Sequence, residues 1–169
     1  MQNFRYATSQ ILVHWVSTLA IFFMLITGTF ILAEMPNTID KIGNLRIHML
    51  AGGFVGFLVI ARLWLRLRNP LPPPVVGYKL ARTVRIALNI GLLLLVISGT
   101  VLAFQSGTFD AVFGSGSLPQ DYMEYLPRKV HGVLTKVVLG LIVLHIAGAI
   151  YHQFIVKDRL LGRVGLGKW

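Results

Sequence analysis

The sequence predicts an all-α fold, an integral membrane four-helix bundle with both termini cytoplasmic, and three observations carry that prediction. Of 169 residues, 55% are hydrophobic and 13% charged, and the mean hydropathy is positive. A chain this short then holds more apolar surface than one water-soluble core can bury. Stretches free of Asp, Glu, Lys and Arg cover 6–33, 47–61, 86–109 and 137–156, and three of them reach the roughly 20 residues a helix needs to cross a bilayer. Basic residues, finally, gather on one set of connections. The expectation is one membrane domain over 1–169 with spanning helices at about 8–34, 44–67, 80–104 and 128–156.

The first helix, 8–34, is too long for the apolar part of a signal peptide and is followed by no small-residue cleavage pattern, so it reads as a retained span. The second starts near residue 44 and outlasts its apolar run by passing through Arg62 and Arg66, whose long side chains can snorkel to the interface. "RNPLPPP" at 68–74 ends it, because successive prolines remove donors and force extended backbone. The third, 80–104, leads into the loop "QSGTFDAVFGSGSLPQDYMEYLP", 105–127. That loop is long for a compact bundle, and a short amphipathic piece around Phe109–Phe113 is expected to lie over the bundle end. The fourth helix, 128–156, carries "KVHGVLTKVVLGLIVLHIAG". No internal repeat or soluble domain is visible.

Lys/Arg bias sets the orientation. Arg5, the 66–85 connection and the tail with Lys157, Arg159, Arg163 and Lys168 hold most of the basic residues, so that side is cytoplasmic. The other side, periplasmic in a bacterium, holds Glu34, Asp40, Asp110, Asp121 and Glu124, five of the six acids. The net charge of +10 is therefore topogenic and directed at membrane lipid, not nucleic acid. The absence of cysteine excludes a disulfide scaffold, thiolate zinc sites and iron–sulfur ligation, leaving histidine as the main soft ligand.

All five histidines, His14, His48, His131, His145 and His152, fall within the expected spans, where ionisable residues are costly and mark functional pathways. His131 and His145 are fourteen residues apart, which puts them within about 40° on one helix face and roughly 21 Å apart along it. Two stacked sites follow. His48 faces His131 near the outer side, and His14 rises from the inner side toward His145. Two facing imidazoles with a flat macrocycle between them make the bis-histidine arrangement of a low-spin b-type haem, which leaves no open iron position and favours electron transfer. Zinc or copper would want three or four donors at one depth. Gly52, Gly53, Gly56, Gly132, Gly140 and Gly148 lie near these levels, where either a large planar ligand or close helix packing needs missing side chains. His152 lies within about 20° of His145's face, nearer the inner interface. By depth it is an alternative partner for His14; the preferred reading keeps His145 there and gives His152 a proton-carrying role at a quinone site.

These residues resemble the bacterial cytochrome b561 family over nearly the whole chain. The resemblance rests on "ILVHW", "RIHMLAGG", "RLWLRLRNPLPPP", "KVHGVL" and "LHIAGAIYHQF" with the basic tail. It implies a four-helix cytochrome with two haem b groups, axial ligands at His14, His48, His131 and His145, an additional histidine at His152, and electron exchange with quinone in the bacterial inner membrane. For some members it implies oxidation of superoxide at the periplasmic face with ubiquinone as acceptor. Arg46, Arg128 and Lys129, beside the outer ligands, are candidates to attract an anion or hold haem propionates. Trp15, with Trp64 and Phe154 near the inner end, is a candidate flank for the quinone or an interfacial anchor. Lys136 departs from an apolar helix lining and has no assigned role. Two rivals remain at this point: an anchor subunit of a larger dehydrogenase or hydrogenase complex, docking a partner protein through 105–127, and a histidine-lined transporter or proton channel; a homo-oligomer is a further expectation with no surface assigned to it.

Overall fold

The structure, a computed structural model, describes residues 5–70, 77–158 and 160–166. It is all-helical, and four of its helices are long and apolar enough to cross a membrane: Thr8–Leu32, Asp40–Arg68, Lys79–Gln105 and Leu126–Val156. The first comprises α1 (Thr8–Ile26) and a wider π turn over Thr27–Leu32, in the threonine–glycine stretch "TGTFIL". α2 runs Asp40–Arg68, beginning four residues before the expected start. Asp40 places a negative charge on the positive end of its dipole, and Lys41 joins the first turn because its amine donates to the Met35 carbonyl and Asn37 Oδ1, both at 2.9 Å. At the other end Asn69 is extended (φ −118°, ψ 152°), as a residue before proline must be, and its amide donates to the Leu65 carbonyl. Most of the proline link expected at 68–74 lies outside the described residues.

α3 (Tyr78–Gln105) stops where Gly107 adopts a left-handed φ of 68°, turning the chain into α4 (Thr108–Phe113). α4 is the short amphipathic piece expected at Phe109–Phe113. It buries Ala111 and Val112 and leaves Phe109 and Phe113 exposed, with Phe109 stacked on Phe104 at 4.8 Å. α5 (Leu126–Tyr151) opens with Pro127 in its first turn, where the missing N–H costs nothing. It continues as a second π turn, His152–Val156, before Lys157 turns left-handed and α6 (Leu160–Arg163) follows.

Packing is uneven around the bundle. α5 lies along α3, α1 along α2, and α2 along α3, whereas α5 has at most sparse backbone contact with α1 and α2. Helices in direct ridge-and-groove contact sit about 8–10 Å apart, so α5 stands off from α1 and α2 by more than that. What crosses at mid-depth is one aliphatic layer of Ile21, Val55, Val59, Leu92 and Val138. The outer surface is apolar instead of polar, with Leu19, Phe30, Phe57, Ile60, Ile97, Val133, Val143 and Ile150 all exposed. A hydrocarbon solvent accounts for that inversion. One end of the bundle, the loop end, carries residues 33–39 and 106–125; the other, the tail end, carries the described chain starts and the segment after α5.

Candidate functional site

Four histidines occupy two levels, seven residues above and below the aliphatic layer. Ile21 is seven residues after His14, Val55 seven after His48, and Val138 seven from both His131 and His145. At the loop end the His48 and His131 rings lie within electrostatic reach of one another; at the tail end His14 and His145 do. Each pair joins α5 to a helix from which it stands off, α2 at one level and α1 at the other.

The hydrogen bonding of His131 selects one tautomer. Ser98 Oγ donates its single proton to the Leu95 carbonyl at 3.0 Å and lies 2.9 Å from His131 Nδ1. The hydroxyl oxygen must therefore accept from Nδ1–H, leaving Nε2 as the bare nitrogen with its lone pair free for a metal. Gly99, beside Ser98, gives the ring room: a Cβ there would stand 3.3 Å from His131 Cε1. His48 is backed the same way by Gly28, whose added Cβ would stand 3.1 Å from His48 Cε1, in the first π turn. Nδ1 of His48, unlike that of His131, is buried without a hydrogen-bond partner. Rings backed by glycine, one bare Nε2 and a helix that stands off are what a flat macrocycle between imidazoles requires, so these residues fit a haem. Among the described residues no group of three or more His, Asp or Glu side chains is placed to hold a metal ion, as a zinc or copper centre would need.

The glycines named from sequence have other neighbours. Gly56 meets Val96, Gly52 meets Met24, Gly132 meets Arg128, and Gly53, Gly140 and Gly148 have nothing within 4 Å. Gly28 and Gly99, which stand against the rings, were not singled out. Their signal was present as register: Gly28 shares a depth with His48 only once the turn after α1 is known.

Of the basic residues proposed beside the loop-end pair, Arg128 lies within electrostatic reach of His131. Arg46 donates through Nε and Nη2 to the Val112 carbonyl at 3.2 and 2.6 Å and lies over the Phe113 ring, so it pins α4. Lys129 is exposed and borders a shallow apolar groove with Val130, Val133 and Leu134. Lys136 is exposed, and by helical angle it lies about 140° round α5 from His131. At the tail end Arg62 does not snorkel outward. It is half-buried, within electrostatic reach of both His14 and His145, and Arg85 approaches His145 with its Nε buried and unpartnered.

His152 is buried and turned to Asp158, Nδ1 to Oδ2 at 2.6 Å. Trp15 meets the His14 ring at 5.2 Å and donates Nε1–H to the Val164 carbonyl at 2.9 Å, clasping the tail to α1. Trp64 and Phe154 are exposed, Trp64 beneath the Arg68 guanidinium at 5.2 Å. Beyond the loop-end pair, Tyr122 is bonded to Thr108 and Thr108 to Ser106. Burial pushes the Tyr122 phenol above its usual 10.0, its bond to Thr108 pulls the other way, and the nearby Tyr125 adds to the rise.

Comparison with known proteins joins this geometry to a family. The chain is 28% identical to cytochrome b561 homolog 1 of Escherichia coli over 174 residues, covering 95% of this chain and 96% of that protein. No solved structure matches it. The family model for prokaryotic cytochrome b561 matches residues 5–166, and the chain belongs to that family.

Proposed function

We propose that the chain is a dihaem cytochrome of the bacterial inner membrane, passing electrons between a periplasmic one-electron donor and the quinone pool. Membership of the family implies haem b. The observation that carries the reading is the two facing histidine pairs, each bridging α5 to a helix with which it has at most sparse backbone contact. The basic tail end is assigned to the cytoplasm and the acidic loop end to the periplasm.

In this reading His48 and His131 hold the outer haem and His14 and His145 the inner one. When bound, a haem held by such a histidine pair would supply one-electron transfer chemistry. Ser98 keeps His131 in the ligating tautomer. Arg128 provides positive charge beside the outer pair, toward propionates or an anionic donor such as superoxide, with Arg46 and Lys129 contributing to the field. Arg62 and Arg85 do the same at the inner pair, toward propionates. Ile21, Val55 and Val138 keep water out of the layer between the levels. His152 donates protons to ubiquinone at the inner end, near the Trp15 clasp.

A second reading of the outer face has its own support. Glu34, Asp40, Asp110, Asp121 and Glu124 are all exposed, a field that repels small anions and attracts a cationic protein. It favours docking by a partner protein, as in an anchor subunit of a dehydrogenase or hydrogenase complex. A reduced-minus-oxidised visible spectrum of purified protein, with haem counted per chain, tests the core of the proposal. Two low-spin b haems are expected; a colourless protein that takes up no added haem overturns it and returns the histidines to a proton pathway. Reduction of the bound haem by superoxide, set against reduction by a basic protein donor, then separates the two outer-face readings.

A further inference from the structure

Asp158 is the single acidic side chain at the tail end; the other five acids lie at the loop end. It grips His152 twice. Its Oδ2 lies 2.6 Å from His152 Nδ1, and its backbone N–H donates to the His152 carbonyl at 3.3 Å. Lys157 makes that return possible by adopting a left-handed φ of 60°, the one positive φ among described non-glycine residues, a conformation kept only where surrounding contacts hold it. The π turn over His152–Val156 carries the ring. Its other carboxylate oxygen, Asp158 Oδ1, is buried without a partner, so the carboxylate keeps an acceptor free beside the ring it holds.

We propose that Asp158 is a positioning residue for proton delivery to quinone. It holds Nδ1–H of His152, so that Nε2 is the nitrogen exchanging protons with the quinone. This rests on the quinone reading above and names the group that orients its proton donor. Quinone takes two electrons, arriving one at a time from the donor, and two protons. For each proton the Nε2–H bond of the His152 imidazolium breaks as a quinone O–H bond forms, leaving the neutral imidazole with its proton on Nδ1, and a proton taken up from bulk water at that end restores Nε2–H. The elements packed against this turn are α5 and α6. Of their titratable and charged groups, His145, Tyr151 and Arg163 are nearest the turn along the chain, Tyr151 edge-on to His152 at 5.9 Å and Lys157 next to Asp158, whereas Arg128, Lys129, His131 and Lys136 lie more than a dozen residues back along α5.

The test uses the haem-loaded full chain and two oxidants: a short-chain ubiquinone, which needs protons, and ferricyanide, which takes an electron alone. Asp158→Asn should slow oxidation by the quinone by about tenfold or more, most at alkaline pH where protons are scarce. Ferricyanide oxidation, haem content and Trp15 fluorescence should match wild type, and Asp158→Glu should recover most of the quinone rate. Equal quinone rates in wild type and Asp158→Asn overturn the proposal. So does equal slowing toward both oxidants, or loss of the inner haem, since a purely structural clasp then suffices. A wild-type protein that ferricyanide oxidises but quinone does not would sink the quinone reading itself, before any variant is made.

Discussion

The two histidine levels are built from the same residue pair yet differ in everything around them. At the loop end both rings rest on glycine, one ring is fixed by Ser98, and a stapled roof lies above. Arg46 holds α4 by the Val112 carbonyl, Lys41 ties Met35 and Asn37, and Asn37 reaches the Gln120 carbonyl. At the tail end two arginines stand close to the rings, and the cover is a thin clasp, Trp15 to Val164 and the Tyr6 amide to the Arg163 carbonyl. The loop end is arranged to hold a group still. In the proposed reading, the tail end balances negative charge and admits protons.

The largest effect that separates them is ligand loss. His131→Ala or His48→Ala should remove one haem and leave the other, and His14→Ala or His145→Ala should do the converse, read as haem per chain and as the surviving component in a redox titration. If His152→Ala removes a haem while His145→Ala does not, the inner pairing is wrong. The glycine backing comes next. Gly28→Val and Gly99→Val push branched side chains against rings already 3.1 and 3.3 Å from a bare Cβ, an overpacking cost of about 1–3 kcal/mol. Occupancy of the outer haem should fall while the inner one is retained. Gly56→Val, which meets Val96 instead, is the packing control and should lower thermal stability without favouring either haem.

Charge gives a smaller and one-sided effect. Arg62→Gln removes a half-buried cation beside the inner pair, where the nearest acid of the chain, Asp158, is already bonded to His152. Loss of positive charge disfavours the reduced form, so the inner midpoint potential should drop by tens of millivolts, as a charge several ångströms away at intermediate dielectric implies. The outer potential, at a level roughly 21 Å further along the helix, should shift in the same direction by clearly less, since the interaction falls with distance. Equal shifts in both would mean that Arg62 acts on the bundle as a whole.

How much of this could be read from the chain depends on the distance over which each feature acts. Four apolar runs and their charge bias are properties of single segments, so the spans, the short helix at Phe109–Phe113 and the two histidine levels were legible. Arg62 was misread, because a position near a helix end suits snorkelling equally well and only packing decides which way the side chain turns. Gly28 and Gly99 were missed for a related reason: the contact that matters lies on a neighbouring helix, and the π turn shifts its register. Asp158 was invisible as a partner of His152, since six residues apart on a continuous helix would place them on different faces. The left-handed Lys157 brings the chain back.

The smallest effect tests the roof alone. Tyr122 is neutral in the folded loop, and burial raises its phenol above the ordinary 10.0. A group whose folded pKa is raised adds stability that is fully present below the unfolded value and is lost as pH climbs through the folded one. The roof should therefore be intact below pH 10 and loosen above it, as ionised Tyr122 gives up its place beside Thr108. Hydrogen exchange of amides in 106–125 should rise above that pH while amides of 152–158 in the same sample stay protected. Tyr122→Phe removes one hydrogen bond, about 1 kcal/mol, and should abolish the alkaline response while making the loop slightly looser at every pH. A response that survives the Phe variant would assign it to Tyr125 or Lys41. One that appears equally at both ends would show that the roof and the tail melt as one unit, erasing the difference between the two ends of the bundle.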